Sequence, residues 1–401
     1  MPAASSDPIA PLDGVRVVDL TSSLAGPTCT QILAALGADV VKVEHPERGD
    51  EARAWGPSFF DGGSALFFAA NASKQSLALD IKAPRGRDVM LRLLDRADVF
   101  VQSMRPGAAA RVGLGWKELH SRNERLVYCS IGAFGNRGPL AGKPGYDPLV
   151  QAFTGIVSVT GDPDRPGVRV GTSLIDLGTG VWAALGIVVA LLERLDSGRG
   201  HEVDVSLFET GLSLVGYHLT DALRSGRSPG RYGTAFPLIA PYEVFATADG
   251  ELMIAAANDR LFARFCERVG VPELAEDARF RTNPDRLANR EELLPPLRAR
   301  LAERPTAYWL EQLERIPVAP VQEIAEVAAH EQTRASGILQ ALGGIETLAL
   351  PLEIDGERIG HRAAPPALGA HSREILSELG LTDAEIEGLA RSGITRVARL
   401  A

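Results

Sequence analysis

The chain reads as an α/β protein, with a larger domain built on a parallel sheet flanked by helices and a smaller α+β domain inserted into it. Three observations predict this. Short β-rich apolar runs alternate with helical patterns from Gly14 to Gly135. Between Arg224 and Arg231 the composition turns to Gly, Ser, Pro and Arg, which is linker chemistry. The 401 residues also exceed what one hydrophobic core usually organises.

The elements follow in order. GVRVVDL is a strand, TSSLAGPTCTQILAALG a helix closed by Gly37, and ADVVKVE a second strand, which makes one βαβ unit. The alternation recurs with SLALDI, a helix beginning near Pro84, ADVFVQS, a short helix around Trp116 to His120, and RLVYCSIGAFG. From Gly171 a long helix precedes HEVDVSLFETGLSLVGYHLTDAL, a strand feeding another helix. Beyond the linker, PYEVFATADGELMIAAAN is a hairpin with its turn at Asp249-Gly250. Helices follow at LFARFCERVG, REELLPPLRARLAE and TAYWLEQLERI, then VAPVQEIAEV, a strand-rich LALPLEIDGERI and a last helix, SREILSELG. The expected division is residues 1–223 for the large domain, 224–325 for the small one and 326–401 for a return to the first. MPAASSDPIAPLDG lacks the basic start and apolar core of a signal peptide and reads as a short disordered leader.

Composition narrows the function classes. Hydrophobic content of 45% describes an ordinary soluble globular protein. A net charge of -9 without any Lys/Arg block argues against nucleic acid or an anionic membrane as partner. The apolar run from Leu177 to Leu192 is shorter than the roughly 20 residues of a membrane span, contains glycines and ends in Glu193-Arg194, so it reads as a buried core helix. Cys29, Cys129 and Cys266 lack CxxC spacing, so neither a disulfide framework nor a zinc site is expected, and a cytoplasmic location fits. The seven histidines show no HxH, HxxxH or HExxH spacing, so no metal is expected. A nicotinamide cofactor would place Glu44 on a ribose, but the turn after the first strand, Thr21 to Pro27, has no GxGxxG. The chain also lacks a P-loop and a GxSxG elbow. Cys29, early in a helix, reads as a small buried hydrophobe rather than a nucleophile.

Asp176 remains. It stands between Ile175 and Leu177 at the entrance of the long apolar helix, with Gly178 and Gly180 close behind. By position alone it is an N-cap, accepting amide hydrogen bonds and complementing the helix dipole.

Several segments taken together change that reading. PLDGVRVVDLTSSLAGP, GADVVKVEHPERGDEAR, NASKQSLALDIKAPRGR, RPGAAARVGLGW, YCSIGAFGNRGPLAGKPGYDPLVQAFTGIVSVTG, DLGTGVWAALGIVVALLERLDSGRGHEVDVSLFE and APPALGAHSREIL resemble the family III CoA-transferases of CaiB/BaiF type. That family also contains α-methylacyl-CoA racemases. The resemblance runs in unbroken order from about Pro11 to Leu389. It implies a Rossmann-like large domain built from both ends of the chain, a small domain between, and a homodimer of two interlocked subunits.

It also implies chemistry. The acid of the family's D-x-x-T/S-G segment falls on Asp176, with Thr179 and Gly180 completing the match. Attack of that carboxylate on an acyl-CoA thioester gives a mixed anhydride, and the released thiolate then captures the aspartyl carbonyl. Helix-start amides are expected to hold Asp176 ionised, and Gly178 and Gly180 to donate amides to the oxyanions. For CoA, the pattern carries over to Lys74 in N-x-x-K-x-S, Arg111 in A-R-x-G-L-G, and to Arg53 and Lys143. Acyl-CoA and a carboxylic acid are then the substrates, with no metal, nicotinamide or flavin.

The family's racemases resemble one another in a GHD segment, which here is Gly145-Tyr146-Asp147. A phenol with an ordinary pKa near 10 is a poor base at neutral pH, so transferase is favoured over racemase, with Tyr146 a wall or donor beside the thioester. A catalytically silent CoA-binding protein is a third reading, against which the intact DLGTG and PGYD segments speak. The formyl-CoA transferase branch has Gln at the place of Leu24 and a glycine lid; their absence disfavours formate and oxalate. The small domain looks most like the succinyl-CoA:dicarboxylate branch, which makes Arg231, Thr234 and Asn258 candidates for a second carboxylate.

Overall fold

The computed structural model describes residues 9–60 and 62–397. Residues 1–8 of the expected leader lie outside them. Its later part is not a disordered leader: Leu12 is buried and its N–H donates to Leu36 O at 2.9 Å, because an apolar residue there closes the end of the first helix.

In chain order the first compact unit contains β1 (Arg16–Leu20), α1 (Ala25–Ala35), β2 (Asp39–Glu44), β3 (Lys74–Leu79), α2 (Pro84–Leu94), β4 (Val99–Gln102), α3 (Ala108–Arg111), α4 (Trp116–Arg122) and β5 (Val127–Gly132). It continues through α5 (Asp147–Phe153), α6 (Leu174–Ser197), β6 (Glu202–Ser206), α7 (Leu207–Leu214) and the part up to Asp221 of α8 (Gly216–Ser225). The second unit holds β7 (Tyr242–Ala246), β8 (Glu251–Ala255), α9 (Asp259–Val269), α10 (Arg290–Leu301), α11 (Thr306–Gln312) and β9 (Val318–Pro320). The chain then returns to the first unit with α12 (Ser372–Glu378), α13 (Asp383–Arg391) and β10 (Thr395–Arg396).

The strand order of the main sheet is β10-β3-β2-β1-β4-β5-β6. All neighbours are parallel except β10, which runs antiparallel to β3. Without that edge strand the order is the 3-2-1-4-5-6 of a doubly wound sheet. Both faces are covered, which is why its strands read as continuous apolar runs. Val18, Phe100 and Tyr128 point to the face packed by α2, α12 and α13. Val17, Val99, Val101 and Val127 point to the opposite face, against α1 and α6.

The strand-rich stretch before the last helices forms two hairpins, Leu339–Leu342 with Ile345–Leu348 and Glu353–Ile354 with Glu357–Arg358, while β10 joins the main sheet. One expectation needs correction: α6 is not simply buried. Its inner face packs through Ala183, Ala184, Ile187 and Leu191, while Val181, Leu185, Val189 and Leu192 form an exposed stripe at helical spacing. By length and composition alone α6 could cross a membrane, but its inner half is sheet-packing surface.

By packing, the first unit runs to Ile156, resumes over Val170–Asp221 and again from Gln332. The second comprises Val157–Arg169 and Ala222–Glu331. The segment Val157–Arg169 was not foreseen there. It belongs to the second unit because Arg231 donates to Asp162 O and Pro163 O, and Gly233 N–H to Gly161 O. That unit has a three-stranded antiparallel sheet, β9-β8-β7, around Phe245, Phe262, Phe265 and Trp309.

Candidate active site

Asp176 is the third residue of α6, which has no side-chain cap from its own N-cap residue, Ser173. The cap comes from elsewhere. Asp147, buried at the start of α5, accepts Ile175 N–H at 2.8 Å and Asp176 N–H at 3.2 Å through Oδ2, while Oδ1 accepts Gln151 Nε2 at 2.6 Å. The expectation that helix-start amides hold Asp176 ionised is therefore corrected: a second carboxylate has taken those amides. Burial first, and the nearby Asp147 charge second, push the Asp176 carboxyl up to about 7. A carboxyl so placed is half ionised near neutrality and unusually basic when ionised.

Gly178 and Gly180 also play a different part from the one expected. Both sit inside α6 beyond its first turn, where amides are used by the helix ladder, so they do not face an oxyanion. They serve close packing. A Cβ on Gly180 would lie 2.8 Å from Ala25 O and from Thr28 Cβ of α1, and one on Gly178 would lie 3.1 Å from Thr210 Cγ2.

Asp176 lines a cleft with Ser22, Ser23, Ala25 and Gly26 after β1, Ser103 and Arg105 after β4, Gly132 and Ala133 after β5, and Glu51, Lys143 and Tyr146. The carboxyl ends of β1 and β4 flank the point where the strand order reverses, which is where ligands bind in doubly wound sheets. Tyr146 is 55% exposed, donates to Glu51 Oε1 at 3.3 Å and meets Trp55 edge-on. The Glu51 charge and partial burial raise its pKa, so the phenol stays protonated and is a donor rather than a base. A second cavity shares Met104, Arg105, Ile131 and Gly132 with the cleft and extends to Arg137, Glu202 and Asp204.

Of the cations expected at CoA, Lys143 lines the cleft and Arg111 is exposed at the end of α3. Lys74 and Arg53 are corrections. Lys74 is buried: its ammonium donates to Asp19 Oδ2 at 3.1 Å, Pro27 O at 2.9 Å and Asn71 Oδ1 at 2.8 Å, leaving nothing for a phosphate. Arg53 pairs with Glu44, donates to Gly62 O and Pro366 O, and stacks over Phe67. Both are internal fasteners. In the second unit Arg231 ties down the 162–163 backbone, Thr234 Oγ1 accepts Val244 N–H, and Asn258 caps α9 through Leu261 N–H. Cys29 is fully buried and its thiol is pushed up by that burial, consistent with a hydrophobe.

Sequence reasoning missed Asp147, Glu51 and Arg105. Asp147 carried a readable sign, an acid followed by Pro148 at a helix start. That it would serve a helix 27 residues later has no local sign.

Comparison with known proteins places this geometry. The chain is 37% identical to mouse succinyl-CoA:glutarate CoA-transferase, covering 98% of this chain and 92% of that protein. It is 39% identical to acetyl-CoA:oxalate CoA-transferase of Acetobacter aceti, over 94% and 98% of the two chains. A crystal structure of a CaiB/BaiF family protein from Brucella suis superposes with a TM-score of 0.86 at 37% identity, covering 93% of this chain and all of that one. The description CoA-transferase family III matches residues 12–372. With a doubly wound sheet, an acid at the start of α6 and these relatives, the chain belongs to CoA-transferase family III and is an enzyme of that transferase class.

Proposed function

We propose that the enzyme moves CoA from an acyl-CoA, with succinyl-CoA the first donor to test, to a small carboxylic or dicarboxylic acid through covalent intermediates on Asp176. The Asp176 carboxylate attacks the thioester carbonyl, the C–S bond breaks, and CoA leaves as thiolate from a mixed anhydride. The thiolate attacks the aspartyl carbonyl, expelling the donor carboxylate and leaving an aspartyl-CoA thioester. The acceptor carboxylate then attacks that thioester, the thiolate leaves again, and its attack on the new acyl carbonyl releases Asp176. No net proton is consumed. The observation that carries the reading is a carboxyl of raised basicity in the cleft at the sheet's switch point.

Tyr146 donates a hydrogen bond at the thioester, and the exposed cations Lys143 and Arg105 of the cleft, with the exposed Arg111 at the end of α3, receive CoA. The names of the relatives point to dicarboxylate acceptors, succinate, glutarate and oxalate among them. A relative named for oxalate that is as similar as the others weighs against the disfavour cast on oxalate by Leu24 and the missing glycine lid. The exposed apolar stripe on α6 supports a homodimer in which a second copy covers it. The buried free cysteines suit a reducing, cytoplasmic setting.

The test is to incubate the protein with succinyl-CoA and hydroxylamine and map the product by mass spectrometry. Hydroxamate on Asp176, absent in Asp176→Ala, is expected. Normal CoA transfer by Asp176→Ala would refute the route.

A further inference from the structure

The turn after β1 holds Ser23 at a φ of +72°, a conformation that residues with side chains rarely adopt. In dinucleotide-binding folds glycines make the corresponding turn. Here buried charge does. Asp50, which is buried, accepts Ser23 N–H at 3.0 Å through Oδ1, and the same oxygen accepts Ala52 N–H at 3.0 Å. Its other oxygen pairs with the Lys42 ammonium at 2.8 Å, and Lys42 in turn donates to Thr21 O at 2.9 Å. Asp50 N–H is held by Glu44 Oε2 at 3.1 Å.

One carboxylate thus ties together two pieces of the cleft wall. One is the turn that brings Ser22 and Ser23 beside Asp176; the other is the short helical turn Glu51–Ala54, which Asp50 caps and whose Glu51 meets Tyr146. We infer that Asp50 is a positioning residue for CoA transfer, acting through Ser23 and the Glu51 turn to hold the wall of the cleft that receives the thioester. Asp50 does not touch the reacting atoms itself. The inference rests on the Asp176 chemistry proposed above. Its physical basis is that acyl transfer needs its walls fixed before reaction, and that a misplacement of about 1 Å can cost about a hundredfold in rate.

The test measures the rate of Asp176 hydroxamate formation in the full-length enzyme, at saturating succinyl-CoA and at saturating acetyl-CoA, with urea unfolding run alongside. Asp50→Asn keeps an acceptor oxygen for both amides but leaves Lys42 without its counter-charge, so it should be slowed clearly less than Asp50→Ala, which should slow the step about ten- to a hundredfold. Adding Ser23→Gly to Asp50→Ala supplies a residue that adopts positive φ without help and should recover several fold, a rescue that a merely stabilising role would not give. A folded Asp50→Ala enzyme at the parental rate, or one that Ser23→Gly leaves as slow, would overturn the inference. If Asp50→Ala does not fold because Lys42 is left buried and unpaired, Ser23→Val replaces it with the ion pair intact. That variant should be slowed comparably, and a parental rate would overturn the idea. A parent enzyme that gives no hydroxamate with either donor would instead remove the Asp176 chemistry, and this inference with it.

Discussion

Asp176→Asn should gain stability over the parent as pH rises from about 4 to about 7 and keep that gain above neutrality. The Asp176 carboxyl is pushed from the ordinary 3.8 to about 7 by burial and then by Asp147. Such a change withdraws about 4 kcal/mol of preference for the charged form, an upper figure because the group keeps some exposure. The folded pKa lies above the unfolded one, so between the two values the native chain holds a proton that the unfolded chain has released. Native stability therefore declines as pH rises through that window, and the full loss is reached above about 7. Asparagine has no such term. From about pH 5 to about pH 8 the difference in unfolding free energy between variant and parent should grow by about 2.5 kcal/mol in favour of the variant. Urea unfolding of both proteins at equal concentration across that range measures it, and charges that do not interact with Asp176 cancel in the difference. Parallel curves, with a difference independent of pH, would refute the raised pKa and the mechanism's demand for a desolvated carboxylate.

Asp147→Asn keeps an acceptor for the α6 amides but removes the like charge, so the acidic limb of the pH–rate profile for acyl-enzyme formation should move to lower pH. Gly180→Val drives side-chain atoms into Ala25 O and Thr28 and should cost about 1–3 kcal/mol in urea unfolding, because the α1–α6 contact cannot open without moving the cleft wall. Lys74→Met leaves Asp19 buried without its ammonium and should cost about 3–5 kcal/mol. Lys143→Ala should instead leave the unfolding midpoint unchanged while raising the KM for acyl-CoA several fold, with a shallower salt dependence of binding.

Much of the fold was legible because its strands and helices announce themselves locally. The apolar runs of β1, β4 and β5 and the Pro at the start of α2 needed no partner to be read. The helix α13 was overlooked although Thr382 and Glu385 form a capping box visible in the sequence. What sequence hides is pairing across distance. Nothing local distinguishes Lys74, whose ammonium is spent on Asp19, from Lys143, which stays in the cleft. Nor does the DLGTG segment reveal that its helix is capped by Asp147, or that Gly180 answers to α1 and Gly178 to Thr210 of α7 rather than to a substrate. The position of Asp176 could be read, but its protonation could not, since that depends on a charge contributed by another helix.

The corner beyond β1 has a further consequence for what this scaffold can become. A doubly wound sheet of this strand order is the common ground of nucleotide-binding enzymes, and grafting a glycine-rich turn onto it looks like a small change. Here the space beneath that turn is filled by the Lys42–Asp50 pair, with Asp19 and Lys74 adjoining. Glycines alone would loosen the turn without clearing room for a pyrophosphate, and removing one charge would strand its partner. Redirecting the corner to a dinucleotide would require several buried residues to change at once, an obstacle that keeps neighbouring chemistries apart on a shared architecture.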